Sequence, residues 1–129
     1  MSRQNYTAGT RWESEIGCSR AVRVGAQVFV SGCTALKPDG SMADADDVYL
    51  QAQQALRNLE TGLREVGASL ADVVRTRMFL TNIDHWPKVA RAHLEAFGDV
   101  RPAASMLEVS SLIDSRMLVE IEADALVFA

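Results

Sequence analysis

The C-terminal segment of residues 118–125 alternates strictly between acidic and aliphatic side chains. Glu120, Glu122 and Asp124 occupy one set of alternate positions, and aliphatic residues beginning with Val119 occupy the other. Because successive side chains of a β-strand point to opposite faces, the pattern predicts a strand with one aliphatic and one acidic face. Three carboxylates on one face repel each other, so that face needs water or a cationic partner.

Length and composition limit the class of protein. The chain has 129 residues, and we expect residues 1–129 to form a single domain. A net charge of −4 disfavours a nucleic-acid partner, because phosphate binding relies on clustered Lys and Arg. The N-terminus has no secretory signal and no apolar stretch is long enough to cross a membrane. We therefore expect a cytoplasmic protein with no membrane contact.

The cysteines do not indicate a metal site. Cys18 and Cys33 form no CxxC motif or Cys/His cluster, so the sequence predicts no metal. The two thiols could form one disulfide, but a reduced pair is the simpler interpretation for a cytoplasmic protein. We also expect no cofactor.

The first half of the chain predicts a hairpin followed by a helix. Residues 20–24 and 27–31 are β-rich runs separated by Gly-Ala, which is typical of a hairpin turn. After Asp46 the period changes to that of an amphipathic helix, which Gly67 ends. Its apolar positions are Val48, Ala52, Leu56, Leu59, Leu63 and Val66.

The second half predicts a strand, a second helix and two further strands. Residues 73–81 form the strand, with Val74, Thr76, Met78 and Leu80 on one face. Asp84 is the predicted cap of the second helix and Gly98 its end. The predicted buried stripe of that helix is Trp86, Val89, Ala90, His93 and Phe97. The order ββαβαββ predicts an α+β domain with one mixed sheet and two helices on one face.

The other face of the predicted sheet mixes opposite charges with large apolar groups. Strict alternation places these side chains on it: Arg75, Arg77, Glu108, Glu120, Glu122, Asp124, Phe29, Met106 and Leu118. A face open to water needs no such mixture, whereas a face buried against other subunits needs paired charges and covered apolar area. We therefore expect a closed homo-oligomer in which these faces meet.

Five segments in order resemble motifs of the Rid family, the YjgF-type reactive intermediate deaminases. The first two are Ile16-Gly-Cys-Ser-Arg-Ala-Val and Val28-Phe-Val-Ser-Gly. The third is Asp72-Val-Val-Arg-Thr-Arg-Met-Phe, and the last two are Arg101-Pro-Ala-Ala-Ser and Val119-Glu-Ile-Glu-Ala. Each motif alone is weak, but five in order with the correct spacing identify the chain as a member of this family.

The resemblance implies a fold, an assembly and a chemistry. The implied protein is a homotrimer of chorismate-mutase-like fold, with its sheets forming a central barrel and a small-molecule cleft at each subunit interface. Active family members hydrolyse imines and enamines, using an Arg that holds the substrate carboxylate, a water and a Glu. By the motifs, that Glu is Glu120, the family Ser is Ser31 followed by Gly32, and the family Tyr is replaced by Cys18.

The largest departure from the family pattern is Ala104, which stands where the resemblance places the carboxylate-binding Arg. An Ala forms no ion pair, so the standard 2-imino acid activity is not expected unless another cation compensates. Arg20 and Arg91 are the candidates for that cation. Alternatively, the ligand has no carboxylate at this end. The predicted ligand-binding residues are Cys18, Arg20, Ser31, Gly32, Arg91, Ala104 and Met106, with Glu120 as the catalytic residue.

Three functions remain open, with a chorismate mutase on the same trimeric scaffold as a fourth, weaker option, because its dianionic substrate calls for several arginines in the cleft. The first is hydrolysis of a reactive imine, enamine or related metabolite, with Glu120 and a water as the working groups. The second is a trimer that binds a small metabolite without turnover, in which Glu120 merely pairs with Arg75 or Arg77. The third is the ribonuclease or translation-inhibitor activity of some family descriptions, which the acidic charge disfavours.

Overall fold

The computed structural model describes residues 2–42 and 44–128. Over these residues the chain forms six strands and three α-helices, joined by loops and short turns. In chain order they are β1 (Arg3–Tyr6), α1 (Arg11–Ile16), β2 (Ala21–Val24), β3 (Gln27–Cys33), α2 (Val48–Glu65), β4 (Val73–Leu80), α3 (Trp86–Phe97), β5 (Ala103–Glu108) and β6 (Val119–Leu126).

The strands form one mixed sheet in the order β1-β2-β3-β6-β4-β5. β4 and β5 run parallel, and every other neighbouring pair is antiparallel. α2 and α3 pack against each other and share one core with the aliphatic side of the sheet. The predicted α+β class, with a mixed sheet and two helices on one face, is confirmed.

Helix α2 forms as its periodicity predicts. The Leu50 N–H donates to the Asp47 side chain at 3.0 Å, which caps the first turn. Leu59 and Leu63 are fully buried in the core. Gly67 has a φ of +80°, a left-handed conformation that favours glycine, and the chain leaves the helix there.

Two N-terminal elements, β1 and α1, are missing from the predicted order. β1 is a short edge strand paired with β2, and its polar residues gave no period-2 signal. α1 begins with a capping box in which the Thr10 N–H and hydroxyl both donate to Glu13 Oε1, at 3.0 Å and 2.7 Å. With six residues, α1 is too short for its apolar period to be recognised.

Two predicted strand faces are wrong in detail. Met106 lies beside Met78, and Glu108 beside Leu80, so both residues face the helices instead of the opposite side of the sheet. Alternation separates the two faces of an edge strand such as β5 but does not tell which one faces inward. A shift in register near the start of β4 leaves Val74 43% exposed rather than buried.

The start of α3 also differs from the prediction. A short 3₁₀ turn precedes α3, and Asn82, not Asp84, is its capping residue. The Asn82 side chain accepts a hydrogen bond from the Asp84 N–H at 2.9 Å. Trp86 becomes the first residue of the α-helix and is 56% exposed, because the buried stripe begins one turn later with Val89. Gly98 follows the last helical residue, as predicted.

The sheet face opposite the helices, which we call the open face, is uncovered by other described parts of the chain. Arg77 Nη1 lies 3.4 Å from Glu122 Oε1 and 3.5 Å from Asp124 Oδ2. Phe29 and Leu107 are 47% and 46% exposed. The predicted mixture of paired charges and apolar groups is therefore present on this face. No helix in the described ranges is long and apolar enough to cross a membrane.

Gln51 joins helix α2 to the start of β6. Its side chain is fully buried. Its amide oxygen accepts from the Leu118 N–H at 2.9 Å, and its amide nitrogen donates to the Arg116 carbonyl at 2.9 Å. Since β6 begins with Val119, this contact fixes where the strand enters the sheet.

We expect Gln51→Leu to lower the free energy of unfolding by about 1–3 kcal/mol, because it removes a buried amide and leaves two partly buried backbone groups unpaired. Glu65→Gln, at the exposed end of the same helix, should change it by less than about 0.5 kcal/mol. Urea unfolding followed by circular dichroism measures both. Equal effects of the two substitutions would contradict the anchoring role of Gln51.

Candidate active site

One cleft brings together several of the residues predicted from the sequence. It lies beside the ends of β3 and β6, where α1 and the loop before β6 form its outer walls, and its volume is about 430 Å³. Cys18, Arg20, Ser31, Gly32 and Glu120 all line it. The cleft therefore contains the predicted catalytic residue and four of the predicted ligand-binding residues.

A bulge near the end of β3 turns Ser31 and Gly32 toward the cleft. The pairing of β3 with β6 is regular up to Val30 and resumes at Cys33 after a shift in register. Such an extra residue bends a strand and redirects its side chains. The Ser31 hydroxyl donates to the Arg20 carbonyl at 3.2 Å, which orients it.

Gly32 allows the close approach of Glu120. A Cβ placed on Gly32 would lie 2.8 Å from the Glu120 Cγ and closer still to its carboxyl group. Any side chain at this position would push the Glu120 carboxyl group away from where it stands. The glycine is thus needed for the position of the acid, not for an unusual backbone angle.

Glu120 is half-buried, and its carboxyl group has no hydrogen-bond or ion-pair partner among the residues that the structure describes. Arg77, which could have neutralised it, lies beside Glu122 and Asp124 instead. Burial raises the pKa of Glu120, and the neighbouring charge of Glu122 raises it further. A carboxyl group in this state holds its proton to higher pH than usual and can donate it to a ligand.

Arg20 is the cation of the cleft. No carboxylate of the described chain lies within 4.0 Å of its guanidinium. The guanidinium lies near the Cys33 thiol and lowers its pKa, whereas Glu120 raises it. Both charged groups are therefore close to this thiol, with Arg20 also near enough to Glu13 to lower the pKa of that carboxyl group.

The two cysteines differ in exposure. Cys33 is fully buried, and burial raises the pKa of its thiol to about 11, so it remains a neutral packing residue. Cys18 is a free, exposed thiol at the wall of the cleft. Both thiols are free in the structure.

Glu13 is a second carboxylate at the cleft, but its hydrogen bonds give it a structural role. Its Oε2 accepts from the Ala8 N–H at 2.8 Å, and its Oε1 accepts the two bonds from Thr10. Burial alone would raise the pKa of Glu13, but the hydrogen bonds from Thr10 and Ala8 and the charge of Arg20 hold it below its usual value. This ionised group fixes the α1 wall of the cleft.

The remaining predicted ligand-binding residues lie outside this cleft within one chain. The Arg91 guanidinium stacks on the Tyr49 ring at 4.4 Å and lies 3.6 Å from Glu95. Ala104 and Met106 line a separate hollow of about 340 Å³ between α3 and β5. Within one chain, Arg20 lines the cleft that contains Glu120, and Arg91 does not.

Sequence reasoning missed the apolar wall of the cleft. The apolar side chains that line it, besides the cysteine, are Trp12, Ile16, Leu36, Leu112, Ile113 and Met117. They come from α1 and from loops, where no periodic signal exists. The Thr10/Glu13 capping box was the one readable sign of α1. No group of His, Cys, Asp or Glu side chains in the described ranges could hold a metal ion.

Comparison with known proteins places the chain in a family. A family model described as Endoribonuclease L-PSP matches residues 9–127. An uncharacterized protein of Streptomyces coelicolor is 38% identical over 118 residues, covering 92% of this chain and 87% of that protein. A 2-iminobutanoate/2-iminopropanoate deaminase of Dermatophagoides farinae is 31% identical over 104 residues, covering 81% of this chain and 80% of that enzyme.

A solved structure agrees with the sequence comparison. Rv2704 of Mycobacterium tuberculosis, described as a member of the highly conserved YjgF/YER057c/UK114 family, is 47% identical to this chain. It superposes with a TM-score of 0.89, covering 98% of this chain and all of the other. From the matched motifs, the fold and these relatives, we conclude that the chain belongs to the YjgF/Rid family and has its chorismate-mutase-like fold.

Proposed function

We propose that the protein is a hydrolase of a reactive imine or enamine, and that Glu120 is its catalytic residue. The observation that carries this proposal is the carboxyl group of Glu120, which is half-buried, unpaired within the described chain and raised in pKa. A proton donor that lines an open cleft suits a nitrogen base as substrate. The related deaminase of Dermatophagoides farinae supports the same reaction class.

The proposed reaction needs only a proton carrier and water. Glu120 gives its proton to the imine nitrogen, which makes the C=N carbon electrophilic. A water attacks that carbon, and its proton passes to the Glu120 carboxylate. Glu120 then protonates the nitrogen of the carbinolamine, and ammonia leaves as the C=O bond forms. The hydroxyl proton passes to the Glu120 carboxylate, which restores the acid. Protonation of an enamine at carbon by Glu120 gives the same iminium ion, which water then attacks.

We further propose that three subunits assemble through their open faces. Phe29 and Leu107 would be covered there, and the Arg77 ion pairs with Glu122 and Asp124 would be shielded from water. The exposed edge strand β5 would then approach a neighbouring cleft, as the family resemblance implies. Such an assembly would deepen the cleft and exclude water from it. We also propose a cytoplasmic location, where a reducing environment suits two free cysteines.

A metabolite-binding role without turnover is the second candidate. It is favoured by Ala104, which supplies no charge at the position of the family Arg. A ribonuclease role has less support, despite the name of the family model. Half-buried His93 contacts Thr76 Oγ1 at 2.9 Å and does not line the cleft.

We expect Glu120→Gln to lower the rate of imine hydrolysis by about 10²- to 10⁴-fold, because the amide cannot transfer the proton. An amino-acid oxidase would generate imines, and semicarbazide would trap whatever the protein leaves unhydrolysed. Glu60→Gln, on α2 and outside the cleft, is the matched control and should keep the wild-type rate. Full activity of Glu120→Gln would exclude the proposed mechanism, and binding without turnover by the wild type would favour the second candidate.

The raised pKa of Glu120 predicts a pH-dependent effect on stability. In the folded state the pKa lies above the usual 4.5, so the folded protein holds this proton where the unfolded chain has released it. The contribution of Glu120 to wild-type stability therefore falls as pH rises above about 4.5, and Glu120→Gln, which does not titrate, should gain stability relative to wild type between pH 4 and pH 7. Urea unfolding at several pH values measures this difference, and a difference that shrinks with rising pH would contradict it.

The proposed assembly predicts a mass of three protomers in sedimentation velocity. Leu107→Arg should dissociate it, because a new charge on the open face would have to be buried without a partner. Leu50→Arg, on the outer side of α2, should leave the mass unchanged. A wild-type protein that sediments as a monomer at micromolar concentration would overturn the assembly.

A further inference from the structure

We infer that Arg20 holds the carboxylate of the substrate, and that the rest of the substrate is a large apolar side chain. This inference rests on the proposed function, since it names the substrate class for the same cleft. The ligand would be a 2-imino acid with a branched or aromatic side chain, or the 2-oxo acid formed from it. Because Arg20 would bind the carboxylate, this ligand needs no charge at Ala104.

Arg20 has no carboxylate partner at ion-pair distance. The residue lines the cleft and also a smaller hollow beside α2, it is half-buried, and no carboxylate of the described chain lies within 4.0 Å of its guanidinium. Glu13 is near enough to interact over a distance, but its oxygens are already bonded to Thr10 and Ala8. A partly desolvated cation that lacks a direct partner is stabilised by an anionic ligand, and a guanidinium can hold a carboxylate through two hydrogen bonds.

Arg20 and Glu120 line the same cleft. The Arg20 Cγ would lie 3.2 Å from a Cβ placed on Gly62, so the stem of the Arg20 side chain rests against α2. The charge of Arg20 lowers the pKa of the buried Cys33 thiol and the charge of Glu120 raises it. A ligand in this cleft with an anionic group and a basic nitrogen would therefore have a cation and a proton donor among the side chains around it.

The remaining walls of the cleft are mostly apolar. Besides Arg20, Glu120, Glu13 and a few hydroxyl groups, the cleft is lined by the apolar set named above. Ile16 and Ile113 stand at its mouth with 61% and 57% of their surface exposed, and a ligand would cover part of it. A volume of about 430 Å³ lies in the range of sites that take drug-sized ligands, about 300–1,000 Å³, rather than a three-carbon acid.

These features assign different parts of the ligand to different walls. The carboxylate lies on Arg20, the imine nitrogen lies toward Glu120, and the side chain extends outward between α1 and the loop that carries Ile113. Burial of each added methylene group of that side chain should strengthen binding, so large apolar ligands should bind tighter than small ones. The cleft should therefore discriminate by size as well as by charge.

The test is equilibrium binding of 2-oxo acids to the full-length protein by isothermal titration calorimetry. Phenylpyruvate should bind the wild type at least about tenfold more tightly than pyruvate does. Arg20→Met, which keeps the stem but not the charge, should weaken phenylpyruvate binding by about tenfold or more, and Arg20→Lys by less. Arg64→Gln, an exposed substitution on α2, should leave the affinity unchanged.

Two results would overturn the inference. Equal affinities for phenylpyruvate and pyruvate would exclude the apolar side-chain site, and an unchanged affinity in Arg20→Met would exclude the carboxylate contact. Trp12→Ala tests the same site without altering Arg20: it should reduce the preference for phenylpyruvate while leaving pyruvate binding intact. A preference that survives Trp12→Ala in full would count against the assigned wall.

The same preparations separate this inference from the proposed function. Hydrolysis of the imines of phenylalanine and alanine is measured alongside binding. Size-selective, Arg20-dependent binding with no hydrolysis would retain the ligand class and overturn the hydrolase. Hydrolysis of both imines at equal rates, with no effect of Arg20→Met, would retain the hydrolase and overturn the ligand class.

Discussion

The burial of β6 between β3 and β4 is the constraint on which the rest of the structure depends. Its aliphatic side closes the core under α2 and α3, with Val119 and Ile121 fully buried. Because side chains alternate along a strand, this burial forces Glu120 and its acidic neighbours onto the opposite face. The catalytic candidate thus owes its position to the packing of the two residues that flank it, and Gln51 secures the point where the strand enters the sheet.

The cleft holds two carboxyl groups in opposite electrostatic states. Glu13 receives hydrogen bonds from Thr10 and Ala8 and stays ionised, whereas Glu120 receives none within the described chain and is raised in pKa by burial. Because their pKa values are moved apart, the two acids can take different roles: Glu13 is a structural anion, and Glu120 is a proton donor. Burial of Glu120, together with the neighbouring charge of Glu122, produces the second state.

The family and the cleft support different parts of the proposed function: the family supports the reaction class, and the cleft supports the ligand contact. The fold and the motifs place the chain among the YjgF/Rid proteins, and one relative is named as an imino-acid deaminase. The departure at Ala104 removes a charge from the family pattern, while Arg20 supplies one inside the cleft that holds Glu120. The proposed reaction therefore keeps the family chemistry, and the proposed ligand contact does not.

The sequence by itself determined the class of fold, both long helices and the side of β6 on which Glu120 lies, because periodicity directly reports which side chains are buried. It also identified Arg20 and Arg91 as alternatives without a means to choose between them. Only the tertiary structure distinguished their positions within one chain, with Arg20 in the lining of the cleft and Arg91 outside it, since these positions depend on contacts between residues far apart in the chain. The bulge in β3, the capped α1 and the loop before β6 come together by such contacts, and their own sequences carry no period that predicts them.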